Sequence, residues 1–222
     1  MPRKRKMVGS DSAQPRFTGG LLIWWIVVAA VNECLFNFTI LSTESIARNW
    51  DDRTGLSMLV LLVPSSVLLI PVLTTTQWMV LRRGWPGLAW VEWLLVSAVA
   101  MLMTGLVWLV LTSLMLTSLT LLVIGIGCGV TASIATLILR HKGSTSVAII
   151  LFTCFLVGGM TAVVLQYVDL RILRPPLFRP DLLYMTTAAL GDAFAAAVGA
   201  AISGFGLWMV SQPDRRALQN SA

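Results

Sequence analysis

The chain has 222 residues, 57% of them hydrophobic and only 12% charged, at a mean hydropathy of +0.83. A soluble domain carries about 25% charged residues, so the composition excludes an ordinary soluble enzyme and points to a lipid-facing surface. The net charge is +6, but the basic residues fall in the breaks between apolar runs, which fits membrane topology and not nucleic-acid binding.

Residues 1–20 are basic, polar and glycine-containing and read as a flexible cytoplasmic tail. Arg3-Lys4-Arg5-Lys6 reads as a topology anchor, with an anionic-lipid or nucleic-acid patch as the alternative. The first apolar run covers 21–42. Its basic approach and Val28-Ala29-Ala30 also fit a secretory signal, but Leu35, Phe36, Phe38 and Ile40 carry the apolar character on, as a span requires. A polar connection follows from Thr43 to Ser57.

The second run, 58–81, contains Pro64 and Pro71, which kink a helix and free carbonyls that neighbours must satisfy. Arg82-Arg83-Gly84-Trp85-Pro86-Gly87 predicts a sharp turn. Trp85, Trp90 and Trp93, at the start of the third run (88–111), predict an interfacial aromatic belt. The fourth run, 116–139, is closed by Arg140-His141-Lys142-Gly143, and the fifth covers 146–168. Residues 169–181, with Arg171, Arg174, Arg179 and three prolines, read as a loop. The sixth run, 183–210, precedes a polar tail over 212–222.

Each run is near the roughly 20 apolar residues that a spanning helix takes. The expected fold is therefore an all-α integral membrane protein, a six-transmembrane-helix bundle over 21–211. With both termini in the cytoplasm, the inner segments hold Arg3, Lys4, Arg5, Lys6, Arg16, Arg82, Arg83, Arg140, Lys142, Arg215 and Arg216, eleven in all. The outer segments hold Arg48, Arg53, Arg171, Arg174 and Arg179, five in all, so this orientation in a bacterial cytoplasmic membrane is preferred.

Met79-Val80-Leu81-Arg82 matches Leu137-Ile138-Leu139-Arg140 at an offset of 58, and Trp208-Met209-Val210 echoes Trp78-Met79-Val80. Three related hairpins would produce this pattern; so would the common way in which inward-running helices end. Gln77-Trp78-Met79-Val80-Leu81-Arg82-Arg83, with the tryptophan-rich stretch behind it, resembles a recurring motif of uncharacterised bacterial multi-spanning membrane proteins. That resemblance covers about a tenth of the chain and carries no activity with it. Gln77 and Trp78 have no counterparts at Ala135 and Thr136.

Small residues recur at helix-packing spacing. Gly191, Ala195, Gly199 and Ser203 do so on the sixth run, Gly125 and Gly129 on the fourth, and Gly158 and Gly159 lie on the fifth. Such stripes let backbones approach closely in lipid, either within one bundle or as a docking face for another subunit.

Three carboxylates fall inside apolar runs. An embedded carboxylate costs roughly 2.5–3.5 kcal/mol, so each needs a reason. Glu92, about 9 Å into its helix, reads as structural, within reach of the interface or of Arg82 and Arg83. Glu33 and Asp192 each lie roughly 14 Å from the outer end of their runs, at one level. Asn37 is one turn from Glu33 and Asn32 is adjacent to it. Either both acids are neutral and hydrogen-bonded to neighbours, or they line a polar pocket for a cation, a proton or a polar solute.

Enzyme signatures are absent: no nucleophile elbow, zinc helix or phosphate loop occurs. Cys34, Cys128 and Cys154 have no metal or redox spacing, and His141 is the only histidine, so the cofactor is unknown and no metal is expected. Asn37-Phe38-Thr39 matches a glycosylation sequon but lies within a span. The expected role is non-enzymatic, an accessory or structural subunit of a larger membrane complex. Its partners are the bilayer and other membrane subunits, and no nucleic acid. The alternative is a small transport or solute-binding protein that uses the embedded carboxylates.

Overall fold

A computed structural model describes residues 16–48, 56–99, 120–139, 145–168 and 182–212. Among the described residues the protein is all-helical. The helices are α1 (Gly19–Arg48), α2 (Leu56–Gly84), α3 (Trp90–Val99), α4 (Thr120–Leu139), α5 (Thr145–Val168) and α6 (Leu182–Ser211). Three are long and apolar enough to cross a membrane, over Gly19–Thr43, Val147–Gln166 and Leu183–Ser211. Trp90–Val99 and Cys128–Leu139 are apolar but shorter over the described residues. The predicted loop 169–181, the segment around His141, the basic N-terminal tetrad and the rest of the third run lie outside the described residues.

Helix boundaries follow from local chemistry. The Thr18 hydroxyl accepts the Leu21 N–H at 3.4 Å and caps α1. That helix continues beyond the predicted boundary, because Thr43–Arg48 is helical rather than a connection. Helix α2 runs uninterrupted through Pro64 and Pro71. Below the second proline, the Thr75 hydroxyl donates to the Pro71 carbonyl at 2.6 Å. Pro86 then stops the helix, since a proline cannot extend the ladder, and a turn closes with Leu88 N–H on the Trp85 carbonyl at 3.0 Å. Glu92 accepts the Ala89 N–H at 3.2 Å and so caps α3. Of the two arginines within its expected reach, Arg82 sits with its guanidinium 4.8 Å over the Trp78 ring.

Helix α1 packs between α2 and α6, and α5 packs between α6 and α4. One buried cluster joins all six helices, with Trp25, Leu81, Trp93, Leu139, Leu151 and Leu207 as one member from each. These residues lie near the starts of α1, α3 and α5 and near the ends of α2, α4 and α6. Successive helices therefore alternate in direction, and one end of the bundle is sealed by apolar side chains. Arg16, Arg82 and Arg83 are exposed beside this seal, which makes it the basic pole.

The aromatic belt differs from its expectation. Trp85 and Trp93 are buried in the cluster, where Trp85 meets Phe17 at 5.8 Å between ring centres and Trp93 meets Trp25 at 6.2 Å. Of the three, only Trp90 stays at the surface, bonded to the Thr75 hydroxyl at 3.0 Å. The short turn after Gly84 folds the tryptophans back across the pole, and the start of α1 supplies the rings that receive them. Arg16 N–H donates to the Gly84 carbonyl at 3.0 Å and Ser211 donates to the Phe17 carbonyl at 3.1 Å, so the pole is tied at both ends of the described chain.

Trp25 also donates its indole N–H to Ser203 at 3.2 Å, across the α1/α6 contact. Interhelical hydrogen bonds in lipid average about 0.6 kcal/mol, up to about 1.7. Trp25→Phe keeps most of the ring volume, so it is expected to lower unfolding free energy by about that amount. Equilibrium unfolding in mixed micelles measures it, and an unchanged midpoint would mean that the bond contributes nothing.

Candidate functional site

The small residues meet inside the bundle. A Cβ built on Gly158 would lie 2.5 Å from the Gly199 carbonyl oxygen, and one on Gly199 would lie 2.5 Å from that of Gly158. The α5 and α6 backbones thus touch, as small residues permit in lipid. Gly159 packs on Cys128 of α4, and Gly204 packs on Leu22 and Trp25 of α1. Ala195 and Ser203 are buried in the same seam, and Gly191 lies further along α6. Gly129 has only ordinary contact with Leu156, while the surroundings of Gly125 lie outside the described residues.

The polar residues of α1 divide between two neighbours. Asn32 is buried and turned toward α2, where its Nδ2 donates to the Leu73 carbonyl at 2.9 Å and its Oδ1 accepts the Thr76 hydroxyl at 3.1 Å. Glu33, 100° further round the helix, turns toward α5. Its Oε1 accepts two carboxamide N–H groups, from Asn37 at 2.9 Å and from Gln166 of α5 at 2.9 Å. Asn32 therefore does not share the Glu33 network, because adjacent helical positions face different helices.

Asp192 is buried on α6, at 7% exposure. Its level follows from two independent pairings. Gly158 opposite Gly199 sets the α5/α6 register, and Trp25 opposite Ser203 sets the α1/α6 register. Carried along the antiparallel helices, both bring Gln166 and Asn37 level with Gly191, next to Asp192. One layer of the bundle thus holds a carboxylate of α1, its two carboxamide donors and a carboxylate of α6.

No family, no curated protein and no solved structure matches the chain.

Gln166 and Thr76 were not singled out from sequence. The available signal was a polar side chain closing an apolar run, which is also how ordinary spans end. Thr74, beside Leu73, is 1% exposed and its hydroxyl makes no hydrogen bond. Among the described residues, no three His, Cys, Asp or Glu side chains come together as a metal cluster would require. The Glu33 site itself combines one carboxylate with neutral amides. Glu33 alone balances a single positive charge, and its two amide partners bring neither the thiolate nor the imidazole that zinc prefers.

Proposed function

We propose that this chain is a non-enzymatic, six-pass protein of the bacterial cytoplasmic membrane, with both termini in the cytoplasm, that binds a small singly charged cation at Glu33. The observation that supports it is the placement of a carboxylate within an apolar helix, held by carboxamides from two helices and level with a second carboxylate on a third. Tying α1 to α5 alone would need only a pair of amides. A carboxylate adds a cost of roughly 2.5–3.5 kcal/mol, which a bound cation offsets.

The test is thermal unfolding of the purified protein in lithium, sodium or potassium chloride against N-methylglucamine chloride at equal ionic strength. A ligand at ten times its Kd adds about 1.4 kcal/mol to the folded state. One alkali ion is expected to raise Tm, and Glu33→Gln is expected to remove that increment while leaving the Tm in N-methylglucamine close to the parent's. If no alkali ion raises Tm, cation binding is wrong.

A second reading, an accessory subunit of a larger membrane complex, draws on a different feature. Met160, Thr161, Val164 and Leu165 line an open, apolar groove of about 240 Å³ along α5. One or two apolar side chains of a partner subunit would fill such a groove. Purification in mild detergent tests this: a partner at fixed stoichiometry supports it, and a homogeneous single chain argues against it. The glycine seams give this reading less than their spacing promised, since Gly158 and Gly199 are consumed within the bundle.

A further inference from the structure

Three arginines are exposed at the basic pole, and the fold holds them together. Arg82 and Arg83 lie in the last turn of α2. The Arg16 N–H donates to the Gly84 carbonyl at 3.0 Å, so the Arg16 backbone lies beside the residue that follows Arg83. Phe17 is buried against Trp85, and its carbonyl accepts the Ser211 hydroxyl at 3.1 Å. Arg16 is therefore fixed between the ends of α2 and α6.

These charges are not neutralised within the fold. The Arg82 guanidinium lies 4.8 Å over the Trp78 ring, a contact that leaves its positive charge uncompensated. Glu92, the described acid at this end of the bundle, accepts the Ala89 N–H at 3.2 Å instead. Among the described residues, none of the three arginines forms an ion pair. The segments that continue the chain from this pole add to the charge. Residues 1–15, 140–144 and 213–222 hold eight Lys and Arg against two acids, Asp11 and Asp214. The positive excess thus holds wherever those residues lie.

Below the arginines, α2 carries an apolar stripe. At about 100° per residue, Leu68, Val72, Met79 and Arg83 fall within about 60° of one another, and all four are exposed. Val72 and Arg83 are about 17 Å apart along the axis, close to one leaflet's half of a hydrocarbon core of about 30 Å. Trp90, also exposed, reaches this stripe through its bond to Thr75. A cationic head above an apolar stripe matches a phospholipid with an anionic head group. Soluble phosphate or a nucleic acid would engage the arginines and leave the stripe unused.

We propose that the basic pole binds an anionic phospholipid, with the phosphate among Arg16, Arg82 and Arg83 and an acyl chain along the Met79–Val72–Leu68 stripe of α2. The proposal rests on the chain spanning a bilayer and is independent of the cation site at Glu33.

Lipid competition tests it. The purified protein is equilibrated in mixed micelles that hold phosphatidylglycerol and phosphatidylcholine in equal amounts and with identical acyl chains. The lipid that stays with the protein is then quantified by mass spectrometry. The parent is expected to retain phosphatidylglycerol in excess. A cation near an anionic head group contributes about fivefold, so Arg16→Gln with Arg83→Gln is expected to cut that excess by about fivefold or more. Arg171→Gln with Arg174→Gln makes the same change of charge in the segment that joins α5 to α6, at the other end of the bundle, and is expected to leave the excess unchanged. No excess in the parent, an excess that survives in the Arg16/Arg83 variant, or equal falls in both variants overturns the proposal.

Inorganic phosphate at constant ionic strength is expected not to displace the lipid. Displacement would mean a soluble phosphate site and also overturns the proposal. Unfolding in phosphatidylcholine micelles checks that each variant folds. Should the Arg16/Arg83 variant unfold early, Arg83→Gln alone is read in its place, with an expected fall of about fivefold; an unchanged excess in that variant overturns the proposal.

Discussion

Gly199→Leu is expected to separate α5 from α6 and to produce the largest loss of folded protein of any substitution considered. A Cβ at this position would stand 2.5 Å from the Gly158 carbonyl oxygen and 2.9 Å from the Ala162 Cβ. The obstacle is mainly backbone, so no rotamer change relieves it. Overpacking a filled core costs about 1–3 kcal/mol and occasionally more, and two backbones that must part put this site at the upper end. Gly158→Leu meets the reciprocal obstacle, with the Gly199 oxygen at 2.5 Å and the Ser203 nitrogen at 3.3 Å. Gly129→Ala is the control, because its nearest neighbour is a Leu156 methyl at 3.9 Å, an ordinary contact. Thermal unfolding in detergent should place both leucine variants well below the control. Equal midpoints for Gly199→Leu and Gly129→Ala would show that the seam is not a close crossing.

The second large effect is an ordering at Glu33. Glu33→Leu removes the oxygen that receives the Asn37 and Gln166 amides. Each donor left without a partner costs about 1–3 kcal/mol, so the variant is expected to lose about 2 kcal/mol or more. Glu33→Gln keeps an acceptor oxygen in the same place and is expected to fold nearly as well as the parent. Replacing Glu33, Asn37 and Gln166 together by leucine removes donors and acceptor at once, a change that can be nearly neutral. The triple variant should therefore recover stability relative to Glu33→Leu alone, and all three variants should lose the alkali-dependent rise in Tm. If Glu33→Leu and Glu33→Gln unfold at the same temperature, the two amide bonds carry no stability.

Much of the helical skeleton was legible in the chain because apolar runs of membrane length are an all-or-none signal. Boundaries were less so. Thr43–Arg48 is polar enough to read as a connection, yet it continues α1, since a helix already nucleated extends at little cost. Pro71 predicts a kink within one run, and α2 indeed continues as a helix through it. The tryptophans after Arg83 carried the composition of a belt; whether an indole faces headgroups or a neighbouring ring depends on where the turn sends it, which one strand of sequence does not encode.

The candidate site divides in the same way. Asn37 beside Glu33 follows from helical spacing alone, because four residues make one turn. Gln166 is 133 positions away, and its bond to Glu33 exists only because α1 and α5 both pack against α6. Asn32, adjacent in the chain, is carried to α2 instead. Composition and spacing thus determined by themselves that the chain is helical, apolar and able to enter a membrane, and that it places acids where lipid would reject them. Tertiary structure alone decided that the glycine stripes face each other, that Trp85 and Trp93 turn inward, and that Glu33 is held across α1 and α5. The physical reason is range: hydropathy and helical period act within a few residues, whereas a side chain's partner is set by the register of two helices, and that register is fixed by backbone contacts far from it in sequence.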